Sequence, residues 1–285
     1  MKIVYTINEL QEQLSAYREN GQSIGFVPTM GALHEGHISL VRSSAKENEV
    51  TVISIFVNPT QFNDLSDLEK YPRTLDSDCE LLGKTGLNII VFAPSVEEMY
   101  PSPDTRQFDC APLDRVMEGA FRPGHFNGVC QIVSKLFDAV KPDKAYFGEK
   151  DFQQLAIVRE MCRQMNSPIE IVGCPIVREK DGLAMSSRNA RLSTEERENA
   201  LKISQALFKS TTFAAEHSLA ETKQFVCDEI SAVAGLRLEY FEIVDGDTLQ
   251  AVGSWDESPF VVGCIALFCG DVRLIDNIKY KNRKH

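Results

Sequence analysis

An apolar run from Ile24 to Val27 stops at Pro28, turns through Met30 and Gly31, and gives way after Gly36 to a helical repeat of Ile38, Leu40, Val41 and Ala45. A strand, a glycine turn and a helix start in that order aim backbone N–H groups and the positive end of a helix dipole at one point, which favours an anion there. Within the turn, His34 and His37 stand three residues apart. If the turn is helical, both imidazoles project from one side and each can offer an N–H to phosphate oxygens. Two histidines so spaced also suit an ordinary surface loop; the strand, the glycines and the helix around them favour the anion.

The next strand, Val50 to Val57, is nearly apolar on both faces, as a parallel strand covered by helices should be. It runs into Asn58-Pro59-Thr60-Gln61-Phe62, a loop that parallel topology places at the carboxyl edge of the sheet, where ligands of open α/β folds bind. The alternation extends to both sides. Thr6-Ile7-Asn8-Glu9 is a capping box for a first helix, and a helix from about Thr74 to Thr85 precedes a strand at Asn88 to Phe92. Ala93 to Gly124, broken by five prolines, reads as a long irregular segment of the kind used for lids or binding loops. A helix at Val129 to Val140, a strand at Lys144 to Phe147, a helix at Phe152 to Met165 and a strand at Ile169 to Val172 complete the pattern.

From Ile176 the grammar changes. Two long helices, Thr194 to Glu216 and Leu219 to Val233, precede strands at Leu236 to Val244, Phe260 to Phe268 and Val272 to Ile275. The expected architecture is α/β: a Rossmann-like doubly wound parallel sheet over residues 1–175, and a smaller C-terminal α+β domain over residues 176–285.

The formal net charge of −11 argues against a broad nucleic-acid or anionic-membrane surface, so a phosphate site has to be a local cationic pocket in an acidic molecule. A small anion is the expected partner, with no nucleic acid and no membrane. The amino terminus has no long apolar core and Phe260 to Phe268 is too short to span a bilayer, which makes a cytoplasmic enzyme the default. Eight scattered cysteines without a C-x-x-C pair suit reduced core thiols. His34-Glu35-Gly36-His37 lacks one residue of the H-E-x-x-H zinc spacing, so no protein-held metal is expected. Gly83-Lys84-Thr85 imitates the end of a P-loop, but Asp78 stands where that loop needs its first glycine.

Further candidates sit at the ends of the expected strands. Gly148-Glu149-Lys150-Asp151 precedes the helix bearing Gln153 and Gln154; Lys150 and Gln154, one turn apart, could turn a charge and an amide into the same space, or Lys150 could simply be solvated. Met185-Ser186-Ser187-Arg188 gathers hydroxyls and a guanidinium in a short loop that could equally be a plain lead into the next helix. Gln61 is the neutral group best suited to a hydroxylated substrate, although loop glutamines are commonly just solvated. For His125, in Arg122-Pro123-Gly124-His125-Phe126, a structural use is the better fit. Neither a Ser-His-Asp arrangement nor a cysteine beside a histidine is present, so covalent catalysis by the protein has no support.

Taken in order, the motifs Pro28 to His37, Phe56 to Phe62, Tyr71-Pro72-Arg73-Thr74, Arg122 to Phe126, Phe147 to Gln154 and Asp181 to Asn189 make the chain resemble the pantoate–β-alanine ligase family of the HxGH nucleotidyltransferase superfamily. The resemblance implies ATP-dependent condensation of pantoate with β-alanine through a pantoyl adenylate, with ATP as substrate, Mg²⁺ on the nucleotide, and a homodimer. It implies an ATP site of Met30, Gly31, Ala32, Leu33, His34, Glu35, Gly36, His37, Gly148, Glu149, Lys150, Asp151, Val177, Met185, Ser186, Ser187 and Arg188. Of these His34, His37, Lys150 and Arg188 would be catalytic; Gln61 and Gln154 would hold pantoate, and Gln61 would also serve β-alanine. On this reading residues 1–175 bind ATP and pantoate and residues 176–285 act as a lid. Arg191 and Gln131 depart from the family's common Tyr and Thr and put local packing in question. The alternative within enzymes is another HxGH-type nucleotidyltransferase, which would leave a stable nucleotidyl product.

Overall fold

The computed structural model describes residues 1–62 and 65–282, with the side chains of 65–67 left aside. In chain order the elements are β1 (Lys2–Val4), α1 (Ile7–Glu19), β2 (Ile24–Thr29), α2 (Glu35–Glu47), β3 (Val50–Ile55), α3 (Leu65–Lys70), α4 (Leu75–Gly83), β4 (Ile89–Phe92), α5 (Val96–Met99), α6 (Met117–Phe121), α7 (His125–Val140), β5 (Lys144–Gly148), α8 (Phe152–Gln164), β6 (Glu170–Cys174), α9 (Thr194–Phe213), α10 (Leu219–Ser231), β7 (Leu236–Asp245), β8 (Val261–Cys269) and β9 (Val272–Lys281). The chain forms two compact units: one of Met1–Cys110, Arg122–Glu149 and Ile157–Pro175, the other of Ala111–Phe121, Lys150–Ala156 and Ile176–His285.

In the first unit six strands pair in the order β1-β4-β3-β2-β5-β6, every pair parallel. The doubly wound parallel sheet expected from the sequence is therefore present. From β2 the chain builds outward through β3 and β4 on one side and through β5 and β6 on the other, so the winding reverses between β2 and β5. Ligands of open α/β sheets bind beyond the strand ends at such a reversal.

Helix α2 packs directly on the sheet because β2 carries Gly25 beneath it: a Cβ there would lie 2.0 Å from Ser44 Oγ. Ser44 shares a 2.8 Å hydrogen bond with Thr51 of β3, and Asn48 donates to the Tyr146 hydroxyl of β5 at 2.8 Å, which ties the helix to both neighbouring strands. Around them Val27, Ile38, Val41, Ile53, Val91 and Tyr146 form the core. Helix α1 starts as its sequence dictates, Thr6 Oγ1 accepting from Glu9 N–H and Glu9 from Thr6 N–H.

In the second unit β7, β8 and β9 form an antiparallel sheet in that order, confirming the α+β character expected after Ile176. One face packs on α9 and α10 through Ile203, Leu207, Val226, Ile265, Leu267 and Leu274. The other covers Met117 and Phe152 with Tyr240, Val262, Cys264 and Ile275. There Arg273 is held by both oxygens of Glu118 and by Glu239, while Tyr240 donates to Glu118 at 2.8 Å.

Several boundaries move from their expected places. The last strand runs to Lys281, not Ile275, because Asp276 and Asn277 are buried polar residues that interrupt the apolar alternation without interrupting the ladder. The segment from Ala93 to Gly124 contains the short helices α5 and α6, and α7 begins at His125, four residues before the first strongly apolar repeat.

Candidate active site

The turn after β2 is built by side chains from elsewhere in the first unit. Thr29 Oγ1 donates to the Ser54 carbonyl at 2.7 Å and accepts the Gly31 N–H at 3.2 Å. Gly31 has φ +82°, a left-handed conformation that favours glycine, and a Cβ there would crowd Ile55 Cγ2 at 3.0 Å and Asp78 Oδ2 at 3.1 Å. The buried Asp78 carboxylate accepts the N–H of Ala32 at 3.0 Å and of Leu33 at 2.7 Å, and the Thr74 hydroxyl at 3.3 Å.

Helix α2 then opens on a cap made of histidines. His34 is the N-cap residue; its Nδ1 accepts the Gly36 N–H at 3.2 Å, and His37 Nδ1 accepts the His34 N–H at 3.3 Å. The two rings lie 4.1 Å apart between centroids, tilted by 36°. A ring nitrogen that accepts a backbone N–H carries no proton, so each neutral imidazole keeps its proton on Nε2. Both rings are thereby set as Nε2–H donors.

One expectation is corrected here. The backbone N–H groups of Gly31, Ala32, Leu33, His34 and Gly36, which the strand-turn-helix pattern suggested would face an anion, are taken up by Thr29, Asp78, His37 and His34. What the structure shows at this helix start is a pair of imidazoles oriented by backbone N–H groups.

Beside the turn, Gln61 ends a 3₁₀ turn, Pro59–Gln61, that follows β3. Its Oε1 accepts the Asn58 amide at 3.1 Å and its Nε2 meets Met30 Sδ at 3.2 Å, so Gln61 and the histidine loop are neighbours. Asn58 is itself buried, donating to the Gly128 carbonyl at 3.2 Å and accepting the Tyr100 hydroxyl at 2.8 Å. His125 Nδ1 donates to the Gln61 carbonyl at 2.8 Å, leaving Nε2 to accept from Arg122 at 3.1 Å. His125 thus has the structural use expected of it. Gln131 donates to the carbonyls of Asp104 and Arg106 at 3.1 and 2.8 Å, which gives that departure from the family pattern a packing role.

In the second unit Lys150 lies in a 3₁₀ turn, Glu149–Asp151, ahead of α8, with its side chain 17% exposed and its ammonium 3.8 Å from Asp151. Neighbouring Gln153 is buried, donating to the carbonyls of Leu113 and Val116 and accepting the Glu118 N–H. Val177 accepts the Met185 N–H at 3.0 Å, and Arg178 bridges to Ala184, so residues 177–185 form a hairpin delivering Ser186, Ser187 and Arg188. Ser186 caps the 3₁₀ turn Ser187–Arg191, whose last residue is Arg191. Glu179 and Asp181 both pair with Arg197 of α9, which holds each carboxyl below its ordinary range and braces the hairpin.

The candidates divide between the units. Met30 to His37, Gln61, Gly148 and Glu149 fall to the first, and Lys150, Asp151, Gln154, Val177 and Met185 to Arg188 to the second. Sequence reasoning missed Asp78, Asn58 and Arg197. The only signal for Asp78 was negative, an acidic residue where a P-loop would need glycine.

A parallel sheet whose winding reverses beside this loop places the chain among the α/β proteins that bind small ligands beyond their strand ends. The sequence pattern of the family described as pantoate-beta-alanine ligase matches residues 2–279. Pantothenate synthetase of Bacteroides fragilis is 73% identical over 281 residues, covering 99% of both chains, and that of Porphyromonas gingivalis strain W83 is 53% identical over 282 residues, covering 99% of this chain and all of the other. Among solved structures, pantothenate synthetase from Thermus thermophilus superposes with a TM-score of 0.92 at 42% identity, covering 99% of this chain and 100% of that one. A pantoate-beta-alanine ligase from Francisella tularensis, complexed with beta-gamma ATP and beta-alanine, gives 0.81 at 33% identity over 98% of each chain. This chain belongs to the pantoate–β-alanine ligase family.

Proposed function

We propose that this enzyme activates pantoate with ATP and transfers the pantoyl group to β-alanine, releasing pantothenate, AMP and pyrophosphate. The match of the pantoate-beta-alanine ligase family to residues 2–279 carries this reading, and the pair of histidines at the helix start, whose Nδ1 atoms both accept backbone N–H groups, supports it.

An amine does not displace oxide from a carboxylate, so the carboxylate needs a better leaving group first. A pantoate carboxylate oxygen attacks the α-phosphorus, the bond to the β-phosphate oxygen breaks, and pyrophosphate departs with its electron pair. Charge grows on phosphoryl oxygens during this step, and the protein's part is to hold the groups in line and stabilise that charge. His34, His37, Lys150, Ser187 and Arg188 are assigned to it, and Met30 to Leu33, Glu35, Gly36, Gly148, Glu149, Asp151, Val177, Met185 and Ser186 to the rest of the nucleotide. Each charge-assisted hydrogen bond is worth about 1.5–3 kcal/mol, which is about ten- to a hundredfold in rate if it forms only in the transition state. In the second step the β-alanine nitrogen attacks the acyl carbon, the ester bond to AMP breaks, and the ammonium proton is lost. Gln61 is assigned to both acids and Gln154 to pantoate.

Mg²⁺ enters with the nucleotide. Mg²⁺ commonly binds through substrate phosphate oxygens, one or two carboxylates and waters, which is the mode assigned to it here. Bound there it would supply charge neutralisation to the triphosphate. The division of labour is an ATP- and pantoate-binding region at residues 1–175 and a lid at 176–285, of which 283–285 lie outside the described residues. A homodimer and a cytoplasmic location complete the reading, the latter in keeping with eight cysteines that are free thiols.

The deciding experiment is exchange of labelled pyrophosphate into ATP with no amine present. Exchange that requires pantoate is expected; its absence, or a stable nucleotidyl product, would overturn the reading.

A further inference from the structure

The second unit holds Lys150 by a contact that none of the assigned site residues makes. Asn277 of β9, 3% exposed, donates its side-chain amide to the Lys150 carbonyl at 3.0 Å. Its neighbour Asp276, 4% exposed, receives both arms of Arg178 at 2.7 and 3.0 Å and accepts the Asn277 N–H at 2.8 Å. Arg178 is the residue after Val177, and it bridges to Ala184 in the hairpin that leads to Ser187 and Arg188.

Successive side chains of a strand point to opposite faces of its sheet. Asp276 shares the face of Leu274, against α9 and α10, and Asn277 shares that of Ile275, against Met117 and Phe152. Two adjacent residues of one strand therefore grip two different segments, Arg178 in the hairpin on one side and the Lys150 turn on the other. Their burial has no apolar benefit; Asp and Asn in a sheet core are costly unless a specific hydrogen-bonding task retains them. The grip on Lys150 falls on the backbone and fixes where its side chain begins.

We propose that Asn277 is a positioning residue for adenylate formation, acting through Lys150, with Asp276 locking the strand and the Arg178 hairpin to the same point. This rests on the assignment of Lys150 to the nucleotide phosphates. A misplacement of about 1 Å at a reacting group can cost on the order of a hundredfold in rate, so loss of this hydrogen bond should lower turnover more than substrate affinity.

The test is a double-mutant cycle on the full-length enzyme, read as pantoate-dependent pyrophosphate exchange well below the melting temperature of every variant. Asn277→Leu removes the donor at similar volume, and Asn277→Ser takes its place in the cycle if the leucine does not fold. The expected result is a fall in kcat of about ten- to a hundredfold with the pantoate KM little changed. In a Lys150→Ala background the same substitution should change the rate by less than about twofold, because the two act as one unit. An unchanged kcat in Asn277→Leu, or the full loss repeated on top of Lys150→Ala, overturns the inference while leaving the Lys150 assignment standing. Near wild-type exchange in Lys150→Ala alone overturns that assignment and the inference with it.

Discussion

The Asp78 carboxylate accepts the backbone N–H of Leu33 at 2.7 Å, 45 residues away in sequence, and that of Ala32 at 3.0 Å. The loop that carries the histidines is thus shaped by a buried charge from α4. Asp78→Ala would leave two loop N–H groups without that partner, at about 1–3 kcal/mol each. ATP affinity measured by calorimetry should fall by about tenfold or more, with far-ultraviolet circular dichroism unchanged; ATP binding at wild-type strength would show that the loop holds its shape without Asp78.

His34 and His37 cap helix α2 reciprocally, and they and Lys150 are assigned to the phosphates in the reaction proposed above. His37→Ala or Lys150→Ala should slow adenylate formation by about 10²–10³-fold while secondary structure is retained. Single-turnover measurement of pyrophosphate release reads this step directly, and near wild-type release in either variant would remove that residue from the phosphate site.

Gln61 is oriented by Asn58 through a 3.1 Å hydrogen bond and anchored at its carbonyl by His125 at 2.8 Å. Gln61→Ala should raise the pantoate KM by about tenfold or more while leaving ATP binding intact, since a site built to bond a hydroxylated acid loses most when its polar partner goes. Asn58→Ala, which frees the Gln61 amide to rotate, should shift the pantoate KM in the same direction. Equal losses for ATP and pantoate would contradict the assignment.

Asp104 offers a pH signature of stability. Its carboxylate is 4% exposed and receives a two-pronged hydrogen bond from Arg106, which with Lys135 nearby holds its pKa at about 2. Because the folded value lies below the unfolded one, the stabilisation is complete above the ordinary aspartate pKa of about 4 and is lost as pH falls toward about 2. Asp104→Asn should cost about 1–2 kcal/mol at neutral pH and almost nothing near the low end of that window. Denaturant melts at several pH values check this, and a deficit independent of pH would assign the loss to packing.

Much of the architecture was legible because it is written in local patterns. Thr6 and Glu9 spell a cap, Val50 to Ile55 an inner parallel strand two residues shorter than its apolar run, and Ile24 to His37 a strand, turn and helix, each set by neighbours a few residues apart. The residues proposed to handle phosphate, His34, His37, Lys150 and Arg188, stand in the sequence as short motifs at the ends of such elements. What surrounds them was not legible there. That Asp78 would consume the loop's N–H groups, that both imidazoles would hold their protons on Nε2, and that Asn277 would grip the Lys150 carbonyl 127 residues away depend on contacts with no periodicity in the chain. The strand that carries Asn277 was cut short in the sequence reading because buried polar residues look like solvent-facing ones until their partners are in place. Burial and hydrogen bonding are properties of the folded neighbourhood, so sequence determined which groups were available, and tertiary structure alone determined which way each of them donates.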